Sequence, residues 1–228
     1  MRVLLLHGFT SHPVKTMGPL PGALEAAGFA VSTPALRGHG TRPEDLVGVR
    51  YQDWLEDARA AWEALPGPKA VVGLSMGGLL AAWLAARGDA EALVALAPAL
   101  DFAHPLARLA PYLAWLLPRF QGESSILDPE LRKKSPNYRW FPTRAFVELK
   151  RLADRTPEVL PRVRAPALVV AAEHDRVVPR RAVRRYHDLL GSEEKRFIVL
   201  RDSGHDLLLD RKGEEAAREV VAFLKGER

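Results

Sequence analysis

The residues around Ser75 constrain the fold of this chain more than any other segment. An apolar run over residues 70–74 leads into Gly73-Leu74-Ser75-Met76-Gly77, and an apolar, alanine-rich stretch follows at once. A strand, a sharp turn and a helix in this order describe a nucleophile elbow, which lifts a serine hydroxyl above the edge of a sheet. Side chains at the two outer glycines would collide with the strand and the helix. An ordinary glycine-rich turn with an incidental serine is the alternative interpretation.

Two further residues have the order that an activated serine requires. Such a serine needs a base to accept its proton and an acid to orient that base. In folds with a nucleophile elbow the acid and then the histidine follow the serine along the chain. Asp175 follows the apolar run 167–172, and His205 follows the apolar run 195–200. Because parallel sheets place active sites just past their strand ends, we predict Asp175 as the acid and His205 as the base.

Apolar runs alternate with helical patterns along most of the chain, which predicts an α/β protein with a parallel doubly wound sheet. Most of these runs lack polar alternation, as expected for strands that are covered on both faces. The predicted strands are residues 2–6, 30–33, 70–74, 92–97, 167–172 and 195–200. The predicted helices are residues 21–27, 52–64, 76–86, 180–190 and 213–225.

Five motifs spread along the chain indicate a family. They are Leu4-Leu5-Leu6-His7-Gly8-Phe9-Thr10, Pro34-Ala35-Leu36-Arg37-Gly38-His39-Gly40, Gly73-Leu74-Ser75-Met76-Gly77-Gly78, His174-Asp175-Arg176-Val177-Val178-Pro179 and Ser203-Gly204-His205. On these motifs the chain resembles the α/β-hydrolase superfamily, in particular its small bacterial carboxylesterases and monoacylglycerol lipases. The resemblance implies a minimal sheet of about six mostly parallel strands, with the core in residues 1–100 and 165–228. It also implies a small helical cap, or lid, inserted at residues 101–164.

The resemblance also assigns roles around the serine. It implies that the backbone N–H groups of Phe9 and Met76 form the oxyanion hole, and that the His7 side chain braces its loop. Some relatives carry the acid at the position of Asp101, which is therefore the alternative to Asp175. Many relatives have a glycine where this chain has Glu173. We expect that difference to be tolerated, because it removes no catalytic atom.

The segment 101–164 contains an apolar cluster punctuated by prolines. Its members are Leu106, Leu109, Tyr112, Leu113, Trp115, Leu116, Leu117 and Phe120. A helix that is apolar on most sides is either buried or covers something. We predict a hydrophobic lid over Ser75, with Tyr112, Trp115 and Leu116 contacting the substrate. A small satellite core without substrate contact is the alternative.

Composition narrows the class of protein. The 228 residues suit one α/β domain, and the absence of cysteine excludes disulfides and thiolate metal sites. No apolar run is long enough to cross a membrane, and the first strand begins at Arg2, so we expect a cytoplasmic protein without a signal peptide or stable membrane association. The net charge of +5 is dispersed among acids, which argues against nucleic-acid binding. The richness in Ala, Leu, Arg and Pro is typical of a thermophile.

These observations predict a serine carboxylesterase for uncharged esters of short to medium acyl chains, with monoacylglycerols among the candidates. We expect no cofactor and no metal, a small ester as the partner, and a monomer or weak homodimer. The resemblance leaves two alternatives. One is a specialised hydrolase of carbon–carbon bonds or of esters on an acyl carrier protein. The other is a ligand-binding member of the fold with slow turnover.

Overall fold

The computed structural model describes residues 1–122 and 124–227. Its strands are β1 (Arg2–Leu6), β2 (Ala30–Ser32), β3 (Lys69–Leu74), β4 (Ala92–Leu96), β5 (Arg119–Gln121), β6 (Trp140–Pro142), β7 (Ala167–Ala172) and β8 (Lys195–Leu200). Its α-helices are α1 (Leu20–Ala26), α2 (Tyr51–Glu63), α3 (Met76–Ala85), α4 (Ala110–Leu113), α5 (Pro129–Lys133), α6 (Thr143–Arg155), α7 (Arg180–Leu189) and α8 (Gly213–Leu224). Short 3-10 turns separate several of them.

Six strands form one parallel sheet in the order β2-β1-β3-β4-β7-β8. This arrangement confirms the predicted fold class. The strand β3 is central, and its Gly73 is in register with Leu6 of β1 and Ala95 of β4. Since all six strands run the same way, the loops that follow them meet at one edge of the sheet. That edge holds the residues after β3, β7 and β8.

Helices cover both faces of the sheet and produce two hydrophobic clusters. Alternate residues of β1 point to opposite faces, so Leu4 belongs to one cluster and Leu5 to the other. The first cluster includes the fully buried Trp54 and Trp62 of α2, so one face of this helix packs into the core. The second includes apolar residues of α1 and α8. Burial on both faces explains why the strand sequences lack alternation.

The segment between β4 and β7 departs from this pattern. It contains α4, α5 and an antiparallel pair, β5 and β6, that was not predicted. The helix α6 is followed by two 3-10 turns before β7, and it packs against α2 and α3. Its Leu149 and Leu152 belong to the same core cluster as the sheet. The part of the inserted segment from α6 onward is therefore continuous with the core.

Candidate active site

Ser75 lies in the sharp turn between β3 and α3 and has a strained backbone. Its φ is +56° and its ψ is −111°, a region that side-chain-bearing residues rarely occupy. A Cβ on Gly73 would lie 2.1 Å from the carbonyl oxygen of Gly77, and a Cβ on Gly77 would lie 1.9 Å from that of Leu6. Both glycines are thus required by close contact. The Ser75 N–H donates to the Leu96 carbonyl at 2.8 Å, which ties the turn to β4.

The structure brings together the three side chains that the sequence singled out. His205 Nε2 lies 2.9 Å from Ser75 Oγ, and His205 Nδ1 lies 2.7 Å from Asp175 Oδ2. The second oxygen of Asp175 accepts the N–H groups of Val177 and Val178, each at 2.8 Å. Because the carboxylate can only accept, Nδ1 carries the proton and Nε2 is left to accept from the serine hydroxyl. The arrangement has the connectivity of a serine–histidine–aspartate triad.

The alternative acid does not reach the histidine. Asp101 Oδ1 accepts the N–H of its neighbour Phe102 at 2.8 Å, and its other oxygen lies 3.9 Å from an Arg181 nitrogen. Its side chain is 38% exposed, whereas that of Asp175 is 2% exposed. The geometry therefore favours Asp175 as the partner of His205.

The surroundings of His205 make its imidazole a stronger base. Burial disfavours the charged imidazolium, but the charge of Asp175, its hydrogen bond and the charge of Asp206 outweigh burial. Together they raise the pKa of His205 above its ordinary value of 6.5. A raised pKa suits a group that must hold a proton taken from a serine hydroxyl.

The two expected oxyanion donors lie beside the serine. Met76 is the first residue of α3, where backbone N–H groups have no intrahelical acceptor. Phe9 lines the same cavity as Ser75, and a Cβ on the preceding Gly8 would lie 3.4 Å from the Ser75 Cβ. In residues 1–122 and 124–227 neither amide donates to a backbone carbonyl. Both N–H groups are therefore available to a ligand.

Two buried histidines hold the loops next to Phe9. His7 Nδ1 donates to the Gly8 carbonyl at 2.9 Å, and its Nε2 accepts the Leu36 N–H at 3.2 Å. Burial lowers the pKa of His7 to about 4, so the ring is neutral at physiological pH. Burial and the nearby His7 lower the pKa of His39 to about 3. The His7 ring therefore connects two loops, the His39 ring bonds within its own loop, and neither carries a charge for acid–base chemistry.

A cavity of about 430 Å³ opens above Ser75 and His205. Its walls are mainly aliphatic and aromatic side chains, most of them from the inserted segment between β4 and β7. Those apolar residues are Phe9, Phe102, Leu106, Ala107, Ala110, Leu113, Leu117, Phe120, Phe141, Phe146, Leu149 and Val177. A mainly apolar cavity of this size with a few polar groups near the reactive atoms is typical of a small-molecule site.

Tyr112, Trp115 and Leu116 do not contact this cavity, contrary to the sequence prediction. Their exposed fractions are 74%, 73% and 58%, and the cavity is lined by Leu113 and Leu117 instead. The helical turn of α4 turns positions 113 and 117, one turn apart, toward the cavity. Ala110, three residues before Leu113, also lines the cavity, whereas Tyr112, Trp115 and Leu116 face away from it. This segment is apolar on most sides, so apolar character alone could not show which of its residues point into the cavity.

The sequence analysis also missed several cavity residues. Phe141 and Phe146 flank the start of α6, and Phe102 follows the end of β4 by several residues. Their rings contact one another, with Phe102 and Phe146 centroids 4.9 Å apart. The strong amphipathic spacing of α6 was the available signal, since one face of this helix is apolar and the other charged.

The Glu173 side chain supports the loop that carries His205. Its carboxylate accepts the N–H of Asp202 at 3.0 Å, where the Asp202 backbone has a φ of +49°. The hydrogen bond supports a turn that a side chain would otherwise disfavour. The replacement of the family's glycine by Glu173 is therefore accommodated without disturbing the triad.

The described residues contain neither a cluster of metal-ligating side chains nor a membrane-spanning helix. No group of three or more His, Asp or Glu side chains there could hold a metal ion. Among the described helices none is both long and apolar enough to span a bilayer.

Comparisons with known proteins agree with this geometry. The family described as Hydrolase_4 (serine aminopeptidase, S33) matches residues 1–212. A thermostable monoacylglycerol lipase of Bacillus sp. (strain H-257) is 33% identical over 91% of this chain and 84% of its own length. A carboxylesterase of Bacillus subtilis (strain 168) is 23% identical over 98% of this chain and 92% of its own length.

A solved structure described with LipS and LipT, two metagenome-derived lipolytic enzymes, has the same fold. It superimposes with a TM-score of 0.91, at 29% identity, over 99% of this chain and 94% of that chain. The similarity therefore extends through the inserted segment as well as the sheet.

Proposed function

Because the chain belongs to the Hydrolase_4 (serine aminopeptidase, S33) family, we propose that it is a serine ester hydrolase for uncharged esters of short to medium acyl chains. The observation that carries this proposal is a histidine hydrogen-bonded to both Ser75 and Asp175 at the base of an apolar cavity. Ser75 is the nucleophile, His205 the general base and acid, and Asp175 the orienting carboxylate. The related monoacylglycerol lipase and carboxylesterase support ester hydrolysis.

The reaction proceeds in two acyl-transfer steps. His205 Nε2 accepts the Ser75 proton as Oγ attacks the ester carbonyl, and the Phe9 and Met76 N–H groups stabilise the oxyanion. Each such donor contributes roughly a hundred- to thousandfold in rate. His205 then protonates the departing alcohol, and a water molecule deprotonated by the same ring hydrolyses the acyl-enzyme. Asp175 stays ionised throughout and stabilises the histidinium.

The cavity chemistry supports neutral substrates. Apart from His205, the charged or titratable residues on its described wall are His104, Arg176 and Asp206. Asp206 is engaged by protein donors, and a single exposed arginine does not form an anion clamp. The acyl chain occupies the apolar part of the cavity. Monoacylglycerols fall within this class, as the name of the Bacillus sp. relative supports.

The inserted segment acts as the cap. The sequence placed the cap at residues 101–164, between core segments 1–100 and 165–228. The packing of α6 into the core supports a shorter cap of residues 101–142. This segment provides the upper wall of the cavity and is the part that would open as a lid to admit substrate.

The remaining expectations concern the setting of the enzyme. The triad chemistry requires no cofactor, and we propose a monomer or weak homodimer in the cytoplasm. The thermostable relative supports the expectation of a thermophilic source. Carbon–carbon bond cleavage, carrier-protein esters and slow-turnover ligand binding are less favoured, since the relatives compared above are named as lipases and esterases.

Initial rates on nitrophenyl esters of increasing chain length, with Ser75→Ala beside the parent, test the proposal. We expect fast turnover with one preferred chain length and a loss of about 10⁴-fold or more in the variant. A folded parent protein that turns over none of these esters, or a variant as active as the parent, would contradict it.

A further inference from the structure

The residue after His205 is a buried carboxylate that the catalytic chemistry does not use. Asp206 is 7% exposed and lies on the cavity wall, but it contacts neither Ser75 Oγ nor His205 Nδ1. Burying a carboxylate is costly unless hydrogen bonds compensate for the lost water. Its partners therefore indicate what the residue does.

Among the described residues, all the hydrogen-bond partners of the Asp206 side chain belong to the cap. Asp206 Oδ1 accepts from Asn137 Nδ2 at 3.2 Å. Oδ2 accepts from the Ser125 N–H at 3.3 Å and from the Ser124 hydroxyl at 3.4 Å. Asn137 also lines the cavity. The Asp206 side chain thus bonds to two separate cap segments, one at residues 124–125 and one at Asn137.

The contact between the cap and the histidine loop is reciprocal and close. The His205 N–H donates to Ser125 Oγ at 3.1 Å. A Cβ on Gly204 would lie 1.7 Å from the Ser125 carbonyl oxygen, so no other residue fits there. The loop that carries His205 is therefore packed tightly against the cap at Ser125.

A second carboxylate, that of Asp210, binds the next cap residues, Leu127 and Asp128, but does not line the cavity. Asp210 accepts the Leu127 N–H at 2.8 Å, the Asp128 N–H at 3.3 Å and the Gly204 N–H at 2.9 Å. Asp206 differs because its partner Asn137 and its own side chain both form the cavity wall. A movement of the cap at Asn137 would therefore also change the cavity wall at Asp206.

On the basis of the proposed function, we propose that Asp206 is a positioning residue that fixes the cap against the His205 loop and so sets the acyl cavity over Ser75. The proposal rests on the three hydrogen bonds and on the close packing of Gly204 against Ser125. No covalent step is assigned to Asp206. Its influence acts through the cap and through the charge it places beside His205.

That charge gives the proposal a signature in the pH profile. Asp206 is one of the groups that raise the pKa of His205, after Asp175. The described partners of Asp206 on the cap are neutral serine and asparagine groups. The charged or titratable described groups around His205 are Asp175 on Nδ1 and His104, Arg176 and Asp206 on the cavity wall.

The test is Asp206→Asn in the full chain, assayed with acetate and octanoate nitrophenyl esters across pH. Asparagine removes the charge and presents N–H donors where acceptors are needed. We expect KM for the octanoate ester to rise about tenfold, as for the loss of one hydrogen bond to a charged group, with a smaller change for acetate. The acid limb of kcat/KM should move to lower pH, because the imidazolium loses a stabilising charge.

Asp202→Asn is the matched control. Asp202 lies three residues before His205 with its side chain 51% exposed, pairs with Arg211 and, among the described residues, has no hydrogen bond to the cap. The control should have the same ratio of octanoate KM to acetate KM as the parent, and the same acid limb of kcat/KM. Asn137→Ala removes a cap partner but keeps the Asp206 charge, so the octanoate KM should rise while the acid limb stays in place.

Either of two results would overturn the proposal. One is an Asp206→Asn enzyme with the parent KM ratio and the parent acid limb. The other is a uniform loss of kcat on both esters with neither readout moved, which would mark a role in folding alone. If Asp206→Asn fails to fold, an Asn137→Ala enzyme with the parent KM ratio overturns the proposal. Failure of the proposed function is separate, since it appears as an inactive parent protein.

Discussion

At the scale of single residues, the elbow is held by steric contact. Gly77 approaches the backbone of β1 so closely that a Cβ would lie 1.9 Å from the Leu6 carbonyl oxygen. That oxygen belongs to the strand and cannot move without disturbing the sheet. The positive φ of Ser75 is kept only because the surroundings enforce it.

Gly77→Ala should therefore destabilise the fold by about 3 kcal/mol or more, since overpacking against backbone has no cheap relief. Denaturant unfolding measures this change. Gly22→Ala is the matched control, because Gly22 lies in α1 with nothing within 4 Å of a new Cβ. The control should gain roughly 0.5–1 kcal/mol of stability. An equal effect of the two substitutions would contradict the steric account.

The ionisation of His205 gives a second prediction at this scale. The base must be neutral to accept the Ser75 proton, so kcat/KM rises as pH increases through the His205 pKa. Since Asp175 and Asp206 outweigh burial and raise that pKa, the acid limb should have its midpoint above 6.5. Rates across pH on a neutral ester measure it. A midpoint below 6.5 would show that burial dominates instead.

At the scale of elements, the cap helix α4 and the turn that follows it separate cavity residues from surface residues. Leu113 and Leu117 line the cavity, whereas Leu116 beside them is 58% exposed. Leu113→Ala should therefore enlarge the cavity and shift the chain-length preference toward longer esters, with a several-fold change in kcat/KM. Leu116→Ala is the matched control and should leave the preference unchanged. The reverse pattern would show that α4 faces the other way.

The elements predictable from sequence are those with a clear apolar pattern, either a continuous run or helical spacing. The six sheet strands and five of their flanking helices were predicted to within about one or two residues, because long apolar runs bounded by turns have few alternative structures. The triad geometry also followed, since motif order and strand ends restrict where Asp175 and His205 can lie. The orientation of α4, the β5–β6 pair and the Asp206 contacts could not be predicted. The Asp206 contacts depend on packing between segments about 80 residues apart. The β5–β6 pair and the orientation of α4 depend on contacts within the inserted segment and with its surroundings, which no local apolar pattern specifies.

At the scale of the whole molecule, the parallel sheet organises the site by bringing the loops after β3, β7 and β8 to one edge. Two covered faces keep this frame rigid, so each loop has to place only one triad member. Charge is arranged differently. The chain has a net charge of +5, and many of its charged side chains form surface ion pairs, such as Arg59 with Glu63 and Lys150 with Asp154.

A dispersed charge should not steer a neutral substrate. We expect kcat/KM for an uncharged ester to change by less than about twofold between low salt and 0.5 M salt, because steering requires a charged ligand and a focused field. Steady-state rates over a salt series measure this dependence. A steep fall with added salt would indicate that the natural substrate, or a carrier that delivers it, is anionic.

The central claim is that Ser75 carries the acyl group during turnover. Acid-quenched reactions with an octanoate ester, followed by mass spectrometry of the intact chain and its peptides, test it most directly. The account predicts one octanoyl group per chain, located on Ser75 and absent from Ser75→Ala. It also predicts that the group accumulates in His205→Gln treated with a reactive ester, since deacylation needs the same base as acylation. An acyl group on another residue, or an active parent in which no acyl-enzyme can be trapped under any of these conditions, would contradict the account.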